Sequence, residues 1–187
     1  MLEPTERNDL LALARASLDD ALGRAGALDR ALAAVTITSA LKDDRAAFVS
    51  LHERRAGALR GCVGTLEAHE PLYRGVIQRA VDAGLRDPRF PPVAAAELAD
   101  LDIEISALSA RRPVTGPDAI ARGLHGVELT LGAHRAVFLP QVATEQGWGV
   151  VELLRQLARK AGLAPEAWDQ ARLAVFEAEV FGDRLRL

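Results

Sequence analysis

Apolar residues recur at helical spacing near the start of the chain. Leu10, Leu11, Leu13, Ala14, Leu18, Ala21 and Leu22 share one broad face, and Arg7, Asp9, Asp19 and Arg24 lie opposite. The spacing predicts a helix over 5–22, with Thr5 as N-cap and Gly23 as stop. A short helix is expected over 28–34. Residues 46–52 alternate, Phe48, Ser50 and His52 against Ala47, Val49 and Leu51, and residues 59–66 read as the returning strand of a hairpin across a polar turn at 53–57. Pro71 suits a first helical position, and Leu72, Val76, Ile77, Ala80 and Val81 continue a helix that ends near Gly84. Asp87-Pro88-Arg89-Phe90-Pro91-Pro92 cannot be regular helix, because its prolines remove donors and force extended geometry. Residues 101–108 alternate as a half-buried strand, Leu101, Ile103, Ile105 and Ala107 against Asp102, Glu104, Ser106 and Leu108. A second hairpin is expected over 127–131 and 136–139, an amphipathic helix over 150–161 capped by Gly162, and a last strand over 173–181.

Strands that come in hairpins, with helices between them and no steady βαβ repeat, predict an α+β fold with a largely antiparallel sheet. No linker rich in Gly, Ser or Pro divides the chain, so residues 1–187 are expected to form one domain. With 49% hydrophobic and 26% charged residues, the 187-residue chain is long and apolar enough to bury a core, which excludes disorder as its main state. No apolar run reaches the roughly 18 residues of a membrane span. The first residues lack the features of a signal peptide, so a cytoplasmic location is expected. A single cysteine excludes an intrachain disulfide and a Cys-rich metal cluster. The net charge of -3 argues against general nucleic-acid binding. Of the 23 basic residues only Lys42 and Lys160 are lysine, a bias of the kind a GC-rich genome produces, and not by itself a phosphate-binding surface.

The segment richest in candidate chemistry is Leu59-Arg60-Gly61-Cys62-Val63-Gly64-Thr65. On a regular strand Arg60, Cys62 and Gly64 face one side, and Gly61, Val63 and Thr65 the other. Glycines inside a strand permit a bulge or a close approach. A thiol beside Arg60 is either a reactive thiolate of depressed pKa or a small buried hydrophobe. None of the four histidines has metal-motif spacing. His125, beside Gly126 at a strand start, is the best acid–base candidate and a possible partner for Cys62, whereas His134 in a hairpin turn is expected to be solvated. Gln141, Glu145, Gln146 and Trp148 read either as an exposed ligand loop or as a helix-entry loop with Trp148 as packing anchor. Glu177 and Glu179 are expected on a solvated face. No metal or cofactor motif is present.

Several blocks, in order, resemble the AMMECR-one family. They are Leu59–Thr65, Asp87–Pro92 followed by Glu97-Leu98, Glu104-Ile105-Ser106, His125-Gly126-Val127, Leu139-Pro140-Gln141 with Glu145-Gln146-Gly147-Trp148, Lys160-Ala161-Gly162-Leu163 and Phe176–Phe181. The resemblance runs over nearly the whole chain from Leu10 and is strongest to the bacterial AmmeMemoRadiSam system protein A type. It implies two interleaved lobes with the Cys62 strand at a cleft between them, and association with a Memo-like protein and a radical S-adenosylmethionine enzyme. Many relatives carry a Cys where this chain has Ala158.

On this reading the chain is an enzyme or enzyme-system component with Cys62 as nucleophilic or redox thiol. Arg60 holds an anionic group or the thiolate, and His125 moves protons. Gly61, Gly64, Thr65, Asp87, Arg89, Phe90, Gln141, Glu145, Gln146 and Trp148 line the substrate or partner surface. The alternative is a docking subunit without turnover of its own, with an RNA-modifying role a more distant third.

Overall fold

The structure is a computed structural model and describes residues 1–183. It is an α+β fold whose described residues divide into two compact units, 1–108 with 179–183, and Ser109–Ala178.

In the first unit, helix α1 (Pro4–Ala21) begins one residue before the expected cap. Pro4 has no N–H to leave unsatisfied in the first turn, and the Glu6 carboxylate accepts the Glu3 N–H at 2.8 Å, so Glu3 and not Thr5 is the cap. Helices α2 (Ala27–Ala34) and α3 (Ser39–Lys42) lead to strand β1 (Ala47–Glu53) and its antiparallel neighbour β2 (Leu59–Gly64). Helix α4 (Leu72–Leu85) follows, with Pro71 as its N-cap, then a turn of 3-10 helix at Leu98–Asp100 and strand β3 (Leu101–Leu108). β3 pairs antiparallel with β1, which leaves β2 at the edge of the sheet.

One face of this sheet carries the core. Val49, Leu51, Ile103 and Ile105 are buried with Leu10 and Leu18 of α1 and Leu72, Val76 and Ala80 of α4. This is the apolar half of each alternating strand, closed by the apolar stripes of two helices. The other half of the alternation sends Phe48, Ser50, His52, Cys62, Glu104 and Ser106, all half-buried, to the opposite face.

The second unit contains β4 (Arg112–Val114), β5 (His125–Leu131), β6 (His134–Phe138), α5 (Val142–Glu145), α6 (Val150–Lys160) and β7 (Arg172–Gly182), whose last residues belong to the first unit. β5 pairs antiparallel with β6 and β7, and β4 with β7. Val127, Leu129, Leu173 and Val175 are buried under Leu153, Leu154, Leu157 and Ala158 of α6. Ala158 is fully buried in this core. β4 was invisible in the sequence because three residues are too few to show alternation.

One polar residue departs from expectation. Glu179 is not on a solvated face: it accepts the Leu2 N–H and pairs with Arg7 at 2.8 Å. His134, the first residue of β6, is exposed as expected, and its Nδ1 also meets the Ala161 carbonyl at 2.8 Å, which helps to close the end of α6.

Candidate functional site

The β1–β2 hairpin is not regular. Ser50 pairs with Cys62 and Leu51 with Gly61, but His52 then pairs with Leu59, so Arg60 is an extra residue on β2. A bulge of this kind re-aims the side chain it carries. Arg60 is thereby turned into the protein, where it is 9% exposed. Its Nε and Nη2 donate to the two carboxylate oxygens of Glu97 at 3.0 and 3.3 Å, and Nη1 donates to the Pro91 carbonyl at 2.9 Å. Glu97 also accepts the Ala94 N–H at 2.8 Å. The Arg60 guanidinium, and after it that N–H, lowers the Glu97 pKa. Arg60 therefore does not hold an anionic ligand or the thiolate, as a regular alternation predicted. Its donors tie β2 to the segment after α4.

Gly61 faces α4 at a distance that admits no side chain: a Cβ there would lie 2.1 Å from the Ala83 carbonyl oxygen. Gly64 lies under the Phe48 ring, at 2.2 Å from where its Cβ would be. The two glycines serve close packing within the fold rather than room for a ligand. Thr65 spends its hydroxyl on the Glu67 N–H at 3.0 Å.

Cys62 is held differently. As β2 is an edge strand, the Cys62 peptide has no neighbouring strand on its outer side. The Asp87 carboxylate accepts the Cys62 N–H at 2.8 Å, and Arg89 Nη2 donates to the Cys62 carbonyl at 3.0 Å. The two side chains are joined by a bidentate contact, Nε to Oδ1 at 2.9 Å and Nη2 to Oδ2 at 2.6 Å. Together they satisfy the groups that a neighbouring strand residue would have paired, which closes the edge at this one position. The Asp87-Pro88-Arg89-Phe90 turn supplies this geometry through the Phe90 N–H to Asp87 carbonyl bond at 3.1 Å. Arg89 holds the Asp87 carboxyl far below the usual carboxylate range; burial opposes this, and the Cys62 and Arg89 N–H groups reinforce it. The Arg89 guanidinium also lies 5.5 Å from the centroid of the half-buried Phe90 ring.

With its N–H and C=O turned outward, Cys62 forms a non-hydrogen-bonded pair with Ser50, the class in which facing side chains come closest. Ser50 Oγ–H donates to Cys62 Sγ at 3.3 Å. The thiol is free and half-buried on the face away from the core. Sequence reasoning missed Ser50, whose position on the polar half of β1 was the available signal. Among the described residues no group of three or more His, Cys, Asp and Glu side chains is placed to hold a metal ion, and no helix is long and apolar enough to cross a membrane.

The order of sequence blocks and this geometry agree with one family. The sequence profile described as AMMECR1 matches residues 11–181. The chain belongs to the AMMECR1 family. A protein of Methanothermobacter thermautotrophicus is 39% identical over 145 residues, covering 73% of this chain and 74% of that protein. One of Methanosarcina acetivorans is 34% identical over 193 residues, covering 98% and 94%. The crystal structure of an uncharacterized protein from Pyrococcus horikoshii superposes with a TM-score of 0.72 at 31% identity, covering 92% of this chain and 89% of that one.

The remaining candidate residues of this AMMECR1 chain lie in the second unit. His125 Nδ1 accepts the Ala121 N–H at 3.0 Å. The neutral ring therefore carries its proton on Nε2, where it can donate but not accept. The stretch read as a ligand loop contains the helical turn α5, with Ala143 buried and Gln141, Glu145 and Gln146 exposed. Trp148 packs into the core, its ring 6.0 Å from that of Phe138. Of the two readings of this stretch, Trp148 follows the packing anchor. The structure thus brings Arg60, Cys62, Asp87, Arg89 and Phe90 together along β2 and its outer edge, and keeps His125, Gln141, Glu145, Gln146 and Trp148 with a separate core.

Proposed function

We propose that this AMMECR1 chain is a cytoplasmic component of an enzyme system, acting through the sheet face that bears Cys62, with the thiol as nucleophile or redox group. The observation that carries this reading is how Cys62 is held. A buried carboxylate and a guanidinium fix its peptide at a strand edge, and a hydroxyl orients its sulfur, on a face that is not used for the core. A free cysteine that only fills space needs none of these partners. The cytoplasm is the setting in which a lone half-exposed thiol stays reduced. Its partners in the system are a Memo-like protein and a radical S-adenosylmethionine enzyme, as the likeness to the AmmeMemoRadiSam type suggests. A substrate or partner group docks over Cys62, beside the exposed Arg89 and the half-buried Phe90.

A second reading, a docking subunit without turnover, is favoured by one observation. The charges around β2 are committed within the chain, Arg60 to Glu97 and Asp87 to Arg89, and no imidazole touches the thiol. The experiment that separates the two is Cys62→Ser in the reconstituted system with both partner proteins. The substitution is nearly isosteric, so the melting temperature should move by no more than about 2 °C. The thiol reading expects the joint turnover to fall at least about ten-fold with complex formation intact. Full turnover in the variant would overturn it, and loss of complex formation would instead support docking.

A further inference from the structure

The register places three chemically distinct side chains in one row across three strands: Cys62 on β2, Ser50 opposite it on β1, and Glu104 opposite Ser50 on β3. All three are half-buried on the face away from the core. The backbone of Ser50 is turned toward β3, because that of Cys62 is turned outward to Asp87 and Arg89, so Ser50 and Glu104 form the hydrogen-bonded pair that follows in the ladder. With strands about 4.8 Å apart, the Cα of Glu104 lies roughly 10 Å from that of Cys62, and a Glu side chain spans part of that distance.

Among the described residues the charges on and beside this face do not cancel. Asp87 is neutralised by Arg89, and Asp102, in the next row, by Arg54. The Glu104 carboxylate has no ion-pair or hydrogen-bond partner among the described residues. Among the described residues this half-buried carboxylate is one uncompensated negative charge in the same row of the sheet as the thiol. We infer that Glu104 is a specificity-determining residue of the Cys62 face, which selects a ligand carrying a positive charge, or a strong N–H donor, next to the group that meets the sulfur. This inference rests on the proposed reading of Cys62 as the reactive group. It adds the chemical class of what that group meets.

Charged thiol reagents test it on the intact protein. In each case the Cys62 thiol gives up its proton to solvent, and its sulfur attacks the sulfenyl sulfur of a methanethiosulfonate. The S–S bond forms as methanesulfinate leaves with the electron pair. The probes are the cationic trimethylammonioethyl, the neutral methyl and the anionic sulfonatoethyl reagents, each rate normalised to the same reagent on the unfolded chain. A charge about 10 Å away acting through a partly aqueous medium should favour the cation over the anion by about ten-fold. Glu104→Gln should remove that preference, Glu104→Asp should keep it, and Glu166→Gln, an exposed carboxylate of the second unit, should leave it unchanged. Modification by all three reagents without charge preference, or a preference that persists in Glu104→Gln, overturns the inference and leaves the role of Cys62 standing. If no reagent modifies the native protein, the reading of Cys62 falls and the inference with it.

Discussion

Gly61→Ala is expected to destabilise the fold by about 3 kcal/mol, a large part of the roughly 5–15 kcal/mol that keeps a domain folded. The added methyl would meet a backbone carbonyl, that of Ala83, at 2.1 Å. A flexible side chain could swing aside, but a helix carbonyl cannot, so β2 must move off α4 and open the core between them. Gly116→Ala is the control. Its backbone is extended (φ 177°), and a Cβ there would have nothing within 4 Å. The change should be neutral or slightly stabilising, by roughly 0.5 kcal/mol, because alanine narrows the unfolded ensemble. Urea unfolding of the two variants decides the matter. A cost below about 1 kcal/mol for Gly61→Ala would show that β2 and α4 do not approach as described.

Arg60→Ala should cost about 2–3 kcal/mol, although a strand arginine beside a cysteine first reads as a surface functional group. Arg60 has its side chain 11% exposed and satisfies both oxygens of Glu97 and the Pro91 carbonyl. The full cost of breaking a buried pair does not apply, because Glu97 is 41% exposed and regains water when its partner goes. What remains is the lost packing of the arginine stem and the unpaired Pro91 carbonyl. The midpoint of urea unfolding should fall, and a Glu97→Gln variant, which keeps one acceptor for the guanidinium, should lose less. An unchanged midpoint for Arg60→Ala would return Arg60 to the surface and to the ligand-binding role that the sequence first suggests.

Arg60 marks the limit of what alternation reveals. Residues 101–108 and 150–160 announce themselves because one side of each is buried over its whole length, so their periods are uninterrupted. β2 has six residues, and one extra residue in the middle reverses the face of those before it. Two glycines hinted at a bulge without saying where. The proximity of Asp87–Pro92 to Cys62 was legible, because a rigid turn just after the helix leaving β2 has a short way back. The manner of contact was not, since it depends on an outward-facing peptide at a sheet edge, which no spacing encodes. Ser50 and Glu104 were likewise hidden. Each sits on the polar half of its strand, and only the cross-strand register makes them neighbours of the thiol.

The central claim is that Cys62 presents its sulfur to the outside of a folded protein. As the chain has one cysteine, any thiol label reports on it alone. The direct measurement is the rate of iodoacetamide alkylation under native conditions, set beside the rate of global unfolding from hydrogen exchange or pulse proteolysis. The account predicts complete modification, faster than unfolding, of a protein that keeps its stability to within about 1 kcal/mol. Modification no faster than global unfolding would contradict it and make Cys62 a core residue.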